Sequence, residues 1–444
     1  MKHLFFGGIH PKDNKAMSTG VTFFKSITPK YVVIPMQQHI GAPCTPLVAV
    51  GDYVLRGQKI GDGDGLCVPV HASISGQVVA VEPRPHTNGQ MVMAVVIEND
   101  FKDASIEVER CEDPMTMLTD DQILSKIREA GLVGMGGAAF PGSVKALSAM
   151  GHIDYLIANA CECEPYITAD DGLLRTSPEQ VLKGMQLLSR VLNPGKVILA
   201  VEDNKQEAIM NLESLIKKYP KIELRVLPTR YPQGSEKQLI QAVANRQVPS
   251  GKLPVSVGCA VFNVATFAAI FRATYWGVPL TQRIVTISGE TVNMPQNFQV
   301  RIGTSFRDLI EEAGGLTDET ERVVSGGPMM GVAQSDLSVP VIKATNAILC
   351  LPRDENGVAE NPVCLRCGKC VGVCPMGLQP LYMYRYAACG DIQELQRLHL
   401  LDCMECGSCA YKCPGKLPLV EQFRAGKGML RAAIAEQKAK EEKK

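Results

Sequence analysis

The sequence lacks an excess of charge of either sign, because 46 lysine and arginine residues are balanced by 46 aspartate and glutamate residues. A chain without net charge has no overall field that would attract nucleic acid or an anionic membrane surface. We therefore predict that the protein does not bind nucleic acid and that its partners are recognised through local surfaces.

Long apolar runs are also missing. The most apolar long window, Val261 to Val278, is interrupted by Asn263, Arg272 and Thr274, whereas a membrane-spanning helix needs about 20 mostly apolar residues. The first eight residues lack the extended apolar region and cleavage site of a secretory signal. These absences predict a chain that neither spans a membrane nor is exported.

The chain is long and rich in cysteine. Its 444 residues, 45% apolar and 21% charged, indicate a globular protein of several domains. Sixteen cysteines in a chain that is not exported favour metal or redox chemistry over disulfides, because the cytosol keeps thiols reduced.

Eight cysteines form two copies of the pattern C-x2-C-x2-C-x3-C-P, the spacing of bacterial ferredoxins with two 4Fe-4S clusters. In such proteins three cysteines of one copy ligate one cluster, and the fourth ligates the other. The pattern predicts one cluster on Cys364, Cys367, Cys370 and Cys413, and a second on Cys403, Cys406, Cys409 and Cys374. The alternative is a pair of zinc sites, although zinc normally takes two separated cysteine pairs. Helical periodicity from Gln379 to Leu401 predicts a helical hairpin between the two loops.

The other cysteines fall into two groups. Those outside any ligand spacing are predicted to be small buried hydrophobic residues: Cys44, Cys67, Cys111, Cys259, Cys350 and Cys389. Cys161 and Cys163 alternate with acidic residues, and the sequence assigns them no role.

A glycine-rich segment, Gly131 to Pro141, lies between two predicted helices. Gly134, Gly136 and Gly137 would let the backbone approach a flat or phosphorylated ligand, and the following helix would offer free N–H groups to phosphate. The segment matches neither a P-loop nor an ordinary Rossmann fingerprint. A flexible connector is the alternative interpretation.

Strand and helix patterns alternate between residues 120 and 280, which predicts a parallel sheet covered on both faces. The first strand, Tyr155 to Ala158, leads directly into Asn159, Glu162 and Glu164. Open sheets of this kind bind ligands at the carboxyl ends of their strands. We therefore expect these polar side chains to border a ligand site.

The flanking regions have different patterns. Short strands and turn glycines between residues 30 and 100 predict a small barrel or sandwich, and Val50 to Gln58 resembles a lipoyl-type domain. The hairpin tip at residues 62–67 has no lysine, so we predict a structural or docking domain rather than a carrier. Alternating strands and one short helix between Thr281 and Gly331 look like a soluble-ligand-binding β-grasp domain.

Four motifs in fixed order carry a family resemblance: Gly131 to Pro141, Asn159 to Pro165, Gly234 to Glu236, and Val261 to Thr266. They resemble the FMN- and NADH-binding subunit of respiratory complex I. Together with Gly7 to Pro11 at the start and the double ferredoxin motif, they resemble more closely the C subunit of the Rnf complex. That complex is a membrane-bound, ion-translocating ferredoxin:NAD oxidoreductase.

The resemblance implies a multidomain α/β protein. Its expected parts are a barrel-sandwich (lipoyl-like) β domain at 1–105, a Rossmann-like parallel α/β domain for FMN and NADH at 115–280, a β-grasp domain at 281–335, a helical double 4Fe-4S ferredoxin-type domain at 350–430, and a charged tail at 431–444.

The resemblance also implies binding residues, and it implies no catalytic side chain beyond the flavin itself. FMN would be held by Gly134, Gly136, Gly137, Lys145, Asn159, Glu162 and Asn263, and NADH would be contacted by Phe140, Glu164 and Glu236. The chain departs from the complex I pattern at Cys161, where an acid is usual, and at Ser235, where a glutamate is usual.

Hydride transfer moves two electrons together, whereas iron–sulfur clusters accept one at a time, so the expected cofactors include FMN between NAD(H) and two 4Fe-4S clusters. The expected partners are an iron–sulfur subunit, integral membrane subunits and, indirectly, ferredoxin, with the chain lying peripherally on the cytoplasmic face of the membrane.

Two alternative functions stay open. One is an FMN and 4Fe-4S cobalamin (corrin) reductase of a bacterial microcompartment, and the other is a flavin-free electron relay or assembly adaptor.

Overall fold

The computed structural model describes residues 5–20, 25–353 and 360–441. The chain divides into two compact units. The large unit contains Asp13–Pro228 and Pro254–Arg353, and the cysteine unit contains, in its described parts, residues 5–12, 229–253 and 360–441. No helix within these described stretches is long and apolar enough to cross a lipid bilayer.

The strands of the large unit, in chain order, are β1 (Lys25–Ile27), β2 (Tyr31–Pro35), β3 (Thr45–Pro46), β4 (Tyr53–Val54), β5 (Lys59–Asp62), β6 (Val70–His71), β7 (Gly76–Pro85), β8 (Met91–Asn99), β9 (Tyr155–Ala160), β10 (Lys196–Glu202), β11 (Ile222–Leu227), β12 (Cys259–Asn263), β13 (Gln282–Ser288), β14 (Gln296–Arg301), β15 (Thr320–Ser325), β16 (Val332–Gln334) and β17 (Ala347–Pro352).

The α-helices are α1 (Pro114–Met117), α2 (Asp120–Glu129), α3 (Gly142–Ala149), α4 (Ala169–Thr176), α5 (Pro178–Leu192), α6 (Gln206–Leu215), α7 (Glu236–Ala244), α8 (Val264–Tyr275), α9 (Phe306–Glu312), α10 (Lys369–Gly372), α11 (Pro380–Cys389), α12 (Ile392–Arg397), α13 (Ser408–Tyr411) and α14 (Leu419–Glu441).

The predicted parallel sheet is confirmed, and its strands lie in the order β11-β10-β9-β12. The chain adds β10 and β11 on one side of β9 and then returns to add β12 on the other side. Such a reversal of strand order opens a crevice at the carboxyl ends of the strands on either side of it. Asn159 of β9 and Asn263 of β12 are register partners at that edge.

The first domain is the predicted barrel-sandwich. Its strands form two sheets, β2-β8-β7-β4 and β3-β5-β6. Alternating side chains of these strands fill the space between the sheets, among them Val32, Ile34, Ile60, Val95 and Ile97. This arrangement follows from the period-two pattern of half-buried strands.

The β-grasp sheet is larger than its predicted range of 281–335. Its strand order is β1-β14-β13-β17-β15-β16, so it recruits β1 from within the predicted barrel-sandwich range of 1–105 and β17 from after its own predicted boundary. β17 pairs in parallel with β13 and antiparallel with β15. The apolar run Ala347 to Leu351 therefore forms a central strand, where its burial stabilises the sheet.

The cysteine unit differs from the predicted domain boundaries, because residues 229–253 belong to it rather than to the predicted 115–280 domain. Gln238 of α7 donates a hydrogen bond to the Pro375 carbonyl at 3.1 Å, and Ser250 donates to Asp402 at 2.6 Å. The predicted hairpin is present as α11 and α12, joined at Gly390. α14 packs on both helices and continues through the predicted tail as far as Glu441.

Candidate functional site

The glycine loop is held in a fixed shape by hydrogen bonds. The Gly134 N–H donates to the Phe140 carbonyl at 2.8 Å, and the Ala139 N–H donates to the Gly134 carbonyl at 3.1 Å. The Met135 N–H donates to Thr266 Oγ1 at 3.0 Å, which attaches the loop to the first turn of α8. The loop is thus a constrained turn between α2 and α3, and the flexible-connector interpretation is not needed.

The loop leaves space on its outer side. Gly136 and Gly137 are exposed, and a Cβ atom built on Gly137 would have no neighbour within 4 Å. A Cβ built on Gly136 would lie 3.4 Å from the Asn263 Cβ, which is ordinary contact distance. The surface beside Asn263 is therefore kept bare of side chains, as the close approach of a flat ring requires.

Asn263 connects the loop to a buried acidic group. Its Oδ1 accepts from the Ala265 N–H at 2.8 Å and caps α8, while its Nδ2 donates to Asp170 Oδ2 at 2.6 Å. Glu162 in turn accepts from the Asp170 N–H at 2.9 Å and is only 9% exposed. Burial and the nearby Glu162 carboxylate raise the pKa of Asp170 to about 7.

The remaining residues predicted to bind FMN lie on adjoining elements of the large unit. Asn159 Oδ1 accepts from the Cys161 N–H at 3.0 Å, which fixes the turn after β9. Lys145 is half-buried on α3, and its Nζ lies 5.3 Å from the centre of the Phe262 ring. α8 starts directly after its cap residue Asn263, so its amino terminus lies at the same edge, which suits a phosphate.

The residues predicted to bind NADH are divided between the two units. Phe140 lies in the glycine loop, and Glu164 follows β9, both in the large unit. The Glu164 carboxylate accepts from the Met329 N–H at 3.1 Å, and its backbone carbonyl accepts from Lys15 Nζ at 2.8 Å. Glu236 is the first residue of α7 in the cysteine unit.

Sequence reasoning missed several charged residues around Glu162. Asp170 and Asp171 begin α4 and donate their backbone N–H groups to the Glu162 carboxylate. Lys15 is 6% exposed, and burial beside Lys205 lowers its pKa. Arg283 is buried too and donates to the Met135 carbonyl at 3.3 Å. An acidic first turn is usual in helices, so the pattern around Asp170 gave no sign of a buried site.

Replacing Asp170 by Asn is expected to weaken the pH dependence of stability. The pKa of Asp170 in the folded chain is about 7, above its value in the unfolded chain, so its contribution to stability is lost as pH rises from about 4 to about 7. The asparagine side chain keeps an oxygen at this position but carries no charge at any pH. The fall in thermal unfolding midpoint of flavin-depleted protein between about pH 5 and pH 8 should be smaller in D170N than in the wild type.

The matched control is D318N, which changes an exposed aspartate. It should leave the pH dependence of the midpoint as in the wild type. An unaltered pH dependence in D170N would show that the raised pKa of Asp170 does not contribute to stability.

In the cysteine unit, the eight motif cysteines surround two small cavities. One cavity is lined by Cys364, Cys367, Cys370 and Cys413, and the other by Cys374, Cys403, Cys406 and Cys409. Each cavity thus contains three cysteines from one motif copy and the last cysteine of the other, as the exchanged ligand pattern predicts. Four thiols around one cavity fit a cubane cluster, and burial raises the pKa of Cys403 to about 11, so a metal must displace its proton.

One expectation for the remaining cysteines is wrong. Cys389 is exposed at the end of α11 rather than buried, because the helix stops there and turns at Gly390. Cys44, Cys67, Cys111, Cys259 and Cys350 are buried as predicted.

The segment Gly7–Ile9 is built into the loop that carries Cys374. The Gly8 N–H donates to the Val373 carbonyl at 2.8 Å, and Ile9 and Tyr231 exchange backbone hydrogen bonds. The Tyr231 hydroxyl then donates to the Cys406 carbonyl at 2.7 Å. The glycines near the start of the chain therefore support the loops that carry Cys374 and Cys406.

Replacing Gly7 by Ala is expected to destabilise the site formed by Cys374, Cys403, Cys406 and Cys409. Gly7 has a φ of +74°, and an added Cβ would lie 2.6 Å from the Cys374 carbonyl oxygen. A left-handed backbone costs a residue with a side chain about 1–2 kcal/mol, and the clash adds to this. Iron per chain should fall by up to half, and the visible absorbance should decay faster in air.

The control for this substitution is G372A on α10. Gly372 has no neighbour within 4 Å of a built Cβ, so its iron content and its rate of decay should match the wild type. If G7A also had the iron content and the decay rate of the wild type, the segment Gly7–Ile9 would not support the site formed by Cys374, Cys403, Cys406 and Cys409.

Two features together define a flavin and iron–sulfur electron-transfer protein. One is the glycine loop, which has no side chains on its outer side and lies where the strand order of the parallel sheet reverses. The other is the pair of cavities that are lined by four cysteines each. Family comparisons agree domain by domain. Residues 127–272 match the Nuo51 FMN-binding domain, residues 3–102 the RnfC barrel sandwich hybrid domain, residues 284–333 the SLBB domain, and residues 357–414 the 4Fe-4S dicluster domain. FMN and 4Fe-4S clusters are thus cofactors of its domains.

Whole-chain relatives define the family. The chain is 43% identical to the C subunit of the Na(+)-translocating ferredoxin:NAD(+) oxidoreductase complex of Acetobacterium woodii, covering 96% of this chain and 97% of that one. It is 42% identical to the proton-translocating counterpart of Clostridium ljungdahlii, covering 98% and 96%. The C subunit of the Serratia proteamaculans ion-translocating oxidoreductase complex is 40% identical, covering 96% of this chain and 61% of its own length. The chain belongs to the family of C subunits of ion-translocating ferredoxin:NAD(+) oxidoreductase complexes, and is therefore a subunit of a multi-subunit oxidoreductase.

A solved structure shares the fold over part of the chain. An NAD+-reducing [NiFe]-hydrogenase in the air-oxidized state superposes with a TM-score of 0.50 at 21% identity, covering 70% of this chain and 63% of that one. The relatives from Acetobacterium woodii and Clostridium ljungdahlii are ferredoxin:NAD(+) oxidoreductase subunits rather than corrin reductases, and the match to an FMN-binding domain disfavours a flavin-free adaptor.

Proposed function

We propose that this subunit exchanges electrons between NAD(H) and the other subunits of its complex, by way of FMN and two 4Fe-4S clusters. The observation that carries the proposal is the presence, in one chain, of a bare glycine loop at the strand-order reversal and of two cavities with four cysteines each. A bound flavin would supply the conversion between hydride transfer and single-electron transfer.

The residues of the large unit would bind and orient FMN. Gly134, Gly136 and Gly137 leave room for the ring, and Asn263 and Asn159 border that space at adjacent register positions. Lys145 and the amino terminus of α8 would hold the phosphate, since both present positive charge to the same edge. Glu162 would act by fixing Asp170, whose side chain in turn orients the Asn263 amide.

Phe140, Glu164 and Glu236 would contact NAD(H). Phe140 is half-buried in the same loop as the three glycines, so a dinucleotide could lie against both. The Met329 N–H holds the Glu164 carboxylate, and Lys15 holds the Glu164 backbone carbonyl. No side chain would be required as an acid or base, because a bound flavin would itself supply the hydride chemistry.

In the complex, the chain would lie on the cytoplasmic face of the membrane and exchange electrons with an iron–sulfur subunit and integral membrane subunits, with ferredoxin as the indirect partner. The relatives from Acetobacterium woodii and Clostridium ljungdahlii are named for sodium and proton translocation respectively. Because these two relatives differ in the ion and are almost equally similar to this chain, the coupling ion would be selected by other subunits of the complex.

An anaerobic spectrum tests the proposal. NADH added to the purified chain should bleach both the flavin absorbance and the broader cluster absorbance, in that order. Bleaching of flavin alone would contradict electron transfer to the clusters, and a spectrum unchanged by NADH would contradict the assignment of NAD(H) as the substrate.

A further inference from the structure

The barrel-sandwich domain contains a buried group of metal-ligand side chains that the electron-transfer site does not use. His39 follows β2, Cys44 precedes β3, and Cys67 lies between β5 and β6. The three are 6%, 4% and 2% exposed. Their ligand atoms all lie within 4.8 Å of one another.

The distances within this group are close to those around a tetrahedral zinc ion. Cys44 Sγ and Cys67 Sγ are 3.3 Å apart, and His39 Nε2 lies 3.6 Å from Cys67 Sγ and 4.0 Å from Cys44 Sγ. Zinc bonds of about 2.3 Å to sulfur and about 2.05 Å to nitrogen separate neighbouring ligand atoms by roughly 3.5–3.8 Å. The three atoms therefore need to move by only a few tenths of an ångström to share one ion.

The histidine has the orientation that a ligand requires. His39 Nδ1 is 3.2 Å from the Ile40 carbonyl, which favours a proton on Nδ1 and leaves the Nε2 lone pair for a metal. In the metal-free arrangement the Val68 N–H donates to Nε2 at 3.2 Å, so binding exchanges one hydrogen bond for a metal bond. The Val68 carbonyl, which lies 3.3 Å from Cys44 Sγ, is a protein oxygen that could fill a fourth position.

The loops that carry the ligands are fixed from both sides. The Cys44 N–H donates to the Met36 carbonyl at 2.9 Å, and the Ala42 N–H donates to the Leu66 carbonyl at 3.1 Å. The Ile40 N–H, next to the histidine, donates to the Ala139 carbonyl of the glycine loop at 3.2 Å. A metal ion bound here would thus hold together the two loops of the barrel-sandwich domain and the segment that supports the flavin loop.

We propose that His39, Cys44 and Cys67 form a structural zinc site in the barrel-sandwich domain. Two thiolates and one neutral imidazole are the ligands that zinc prefers, and binding releases the two thiol protons without any change of oxidation state. A disulfide between the two cysteines would use both sulfurs but would leave His39 Nε2 only its hydrogen bond from the Val68 N–H. Zinc uses all three side chains.

Metal analysis of the full-length chain, purified without oxygen and with its iron sites loaded, tests this inference. The wild type should contain about one zinc per chain in addition to iron. C67S and H39Q should lose that zinc and keep their iron. The control variant is C350S, which changes a buried thiol of the β-grasp core and should keep both metals.

X-ray absorption at the zinc edge makes the test independent of the variants. The wild-type protein should give a zinc shell of two sulfurs at about 2.3 Å together with nitrogen or oxygen at about 2.0 Å. A shell of sulfur alone would place the zinc in a cluster site and overturn the proposal. Iron-loaded wild type without stoichiometric zinc would also overturn it, whether the two cysteines are then recovered as thiols or as a disulfide.

Discussion

Replacing Cys403 by Ala is expected to remove one of the two clusters, so that iron per chain falls by about half. Cys403 lines the cavity that it shares with Cys374, Cys406 and Cys409, and a cubane that loses a thiolate ligand is no longer held at every corner. NADH-dependent reduction of partner subunits should fall to background. NADH oxidation by an artificial acceptor that takes electrons from flavin should remain.

The chain offers a matched control and a test of the ligand exchange. C389A changes an exposed cysteine of the same unit and should keep all iron and activity. Electron paramagnetic resonance spectra of the reduced variants should show that C374A and C403A lose the signal of the same cluster, and that C413A and C364A lose the signal of the other. Each pair of cysteines lines one cavity. If C374A grouped with C364A instead, each motif copy would hold its own cluster and the exchange would be disproved.

Replacing Gly136 by Val is expected to abolish retention of FMN while leaving iron unchanged. The built Cβ at this position reaches Asn263 at ordinary contact distance, and Gly136 is exposed, so the fold has room for the larger residue. The added methyl groups would instead occupy the space into which the ring must enter. Flavin per chain after gel filtration should fall at least tenfold, which corresponds to about 1.4 kcal/mol of binding free energy or more.

Two further variants test whether the loss of FMN in G136V comes from the side chain at this position. G20V adds the same side chain at a glycine of the large unit whose built Cβ has no neighbour within 4 Å, and it should keep its flavin. G136A should lose part of its flavin, because only a Cβ enters the space. Full flavin retention by G136V, with the NADH reaction intact, would show that the ring lies elsewhere.

The parts of the molecule that depend on short-range patterns were predictable from the sequence. Metal geometry imposes the spacing of a cluster loop, so the two sets of cysteines that line the cavities follow from the motif alone. The position of Asn159 at the end of a buried strand was sufficient to place it at the carboxyl edge of a parallel sheet. In both cases a few neighbouring residues contain all the information.

Features that depend on contacts between distant segments were not predictable. Lys15 reaches the carbonyls of Glu164 and Ile167 across about 150 residues of sequence, and no local pattern marks such a contact. The placement of residues 229–253 with the cysteine unit rests on Tyr231 and α7, whose sequence resembles part of an ordinary alternating α/β domain. The grouping of His39, Cys44 and Cys67 was not predicted for the same reason, because two separate loops bring them together.

The cysteine unit is assembled from residues 5–12, 229–253 and 360–441. During translation the ribosome delivers the first of these pieces hundreds of residues before the last. The Gly8 N–H therefore cannot donate to the Val373 carbonyl until residue 373 has left the ribosome. We expect iron–sulfur biogenesis machinery to load this subunit only after all three pieces have left the ribosome, and expression of the ferredoxin segment alone to give an oxygen-labile fragment.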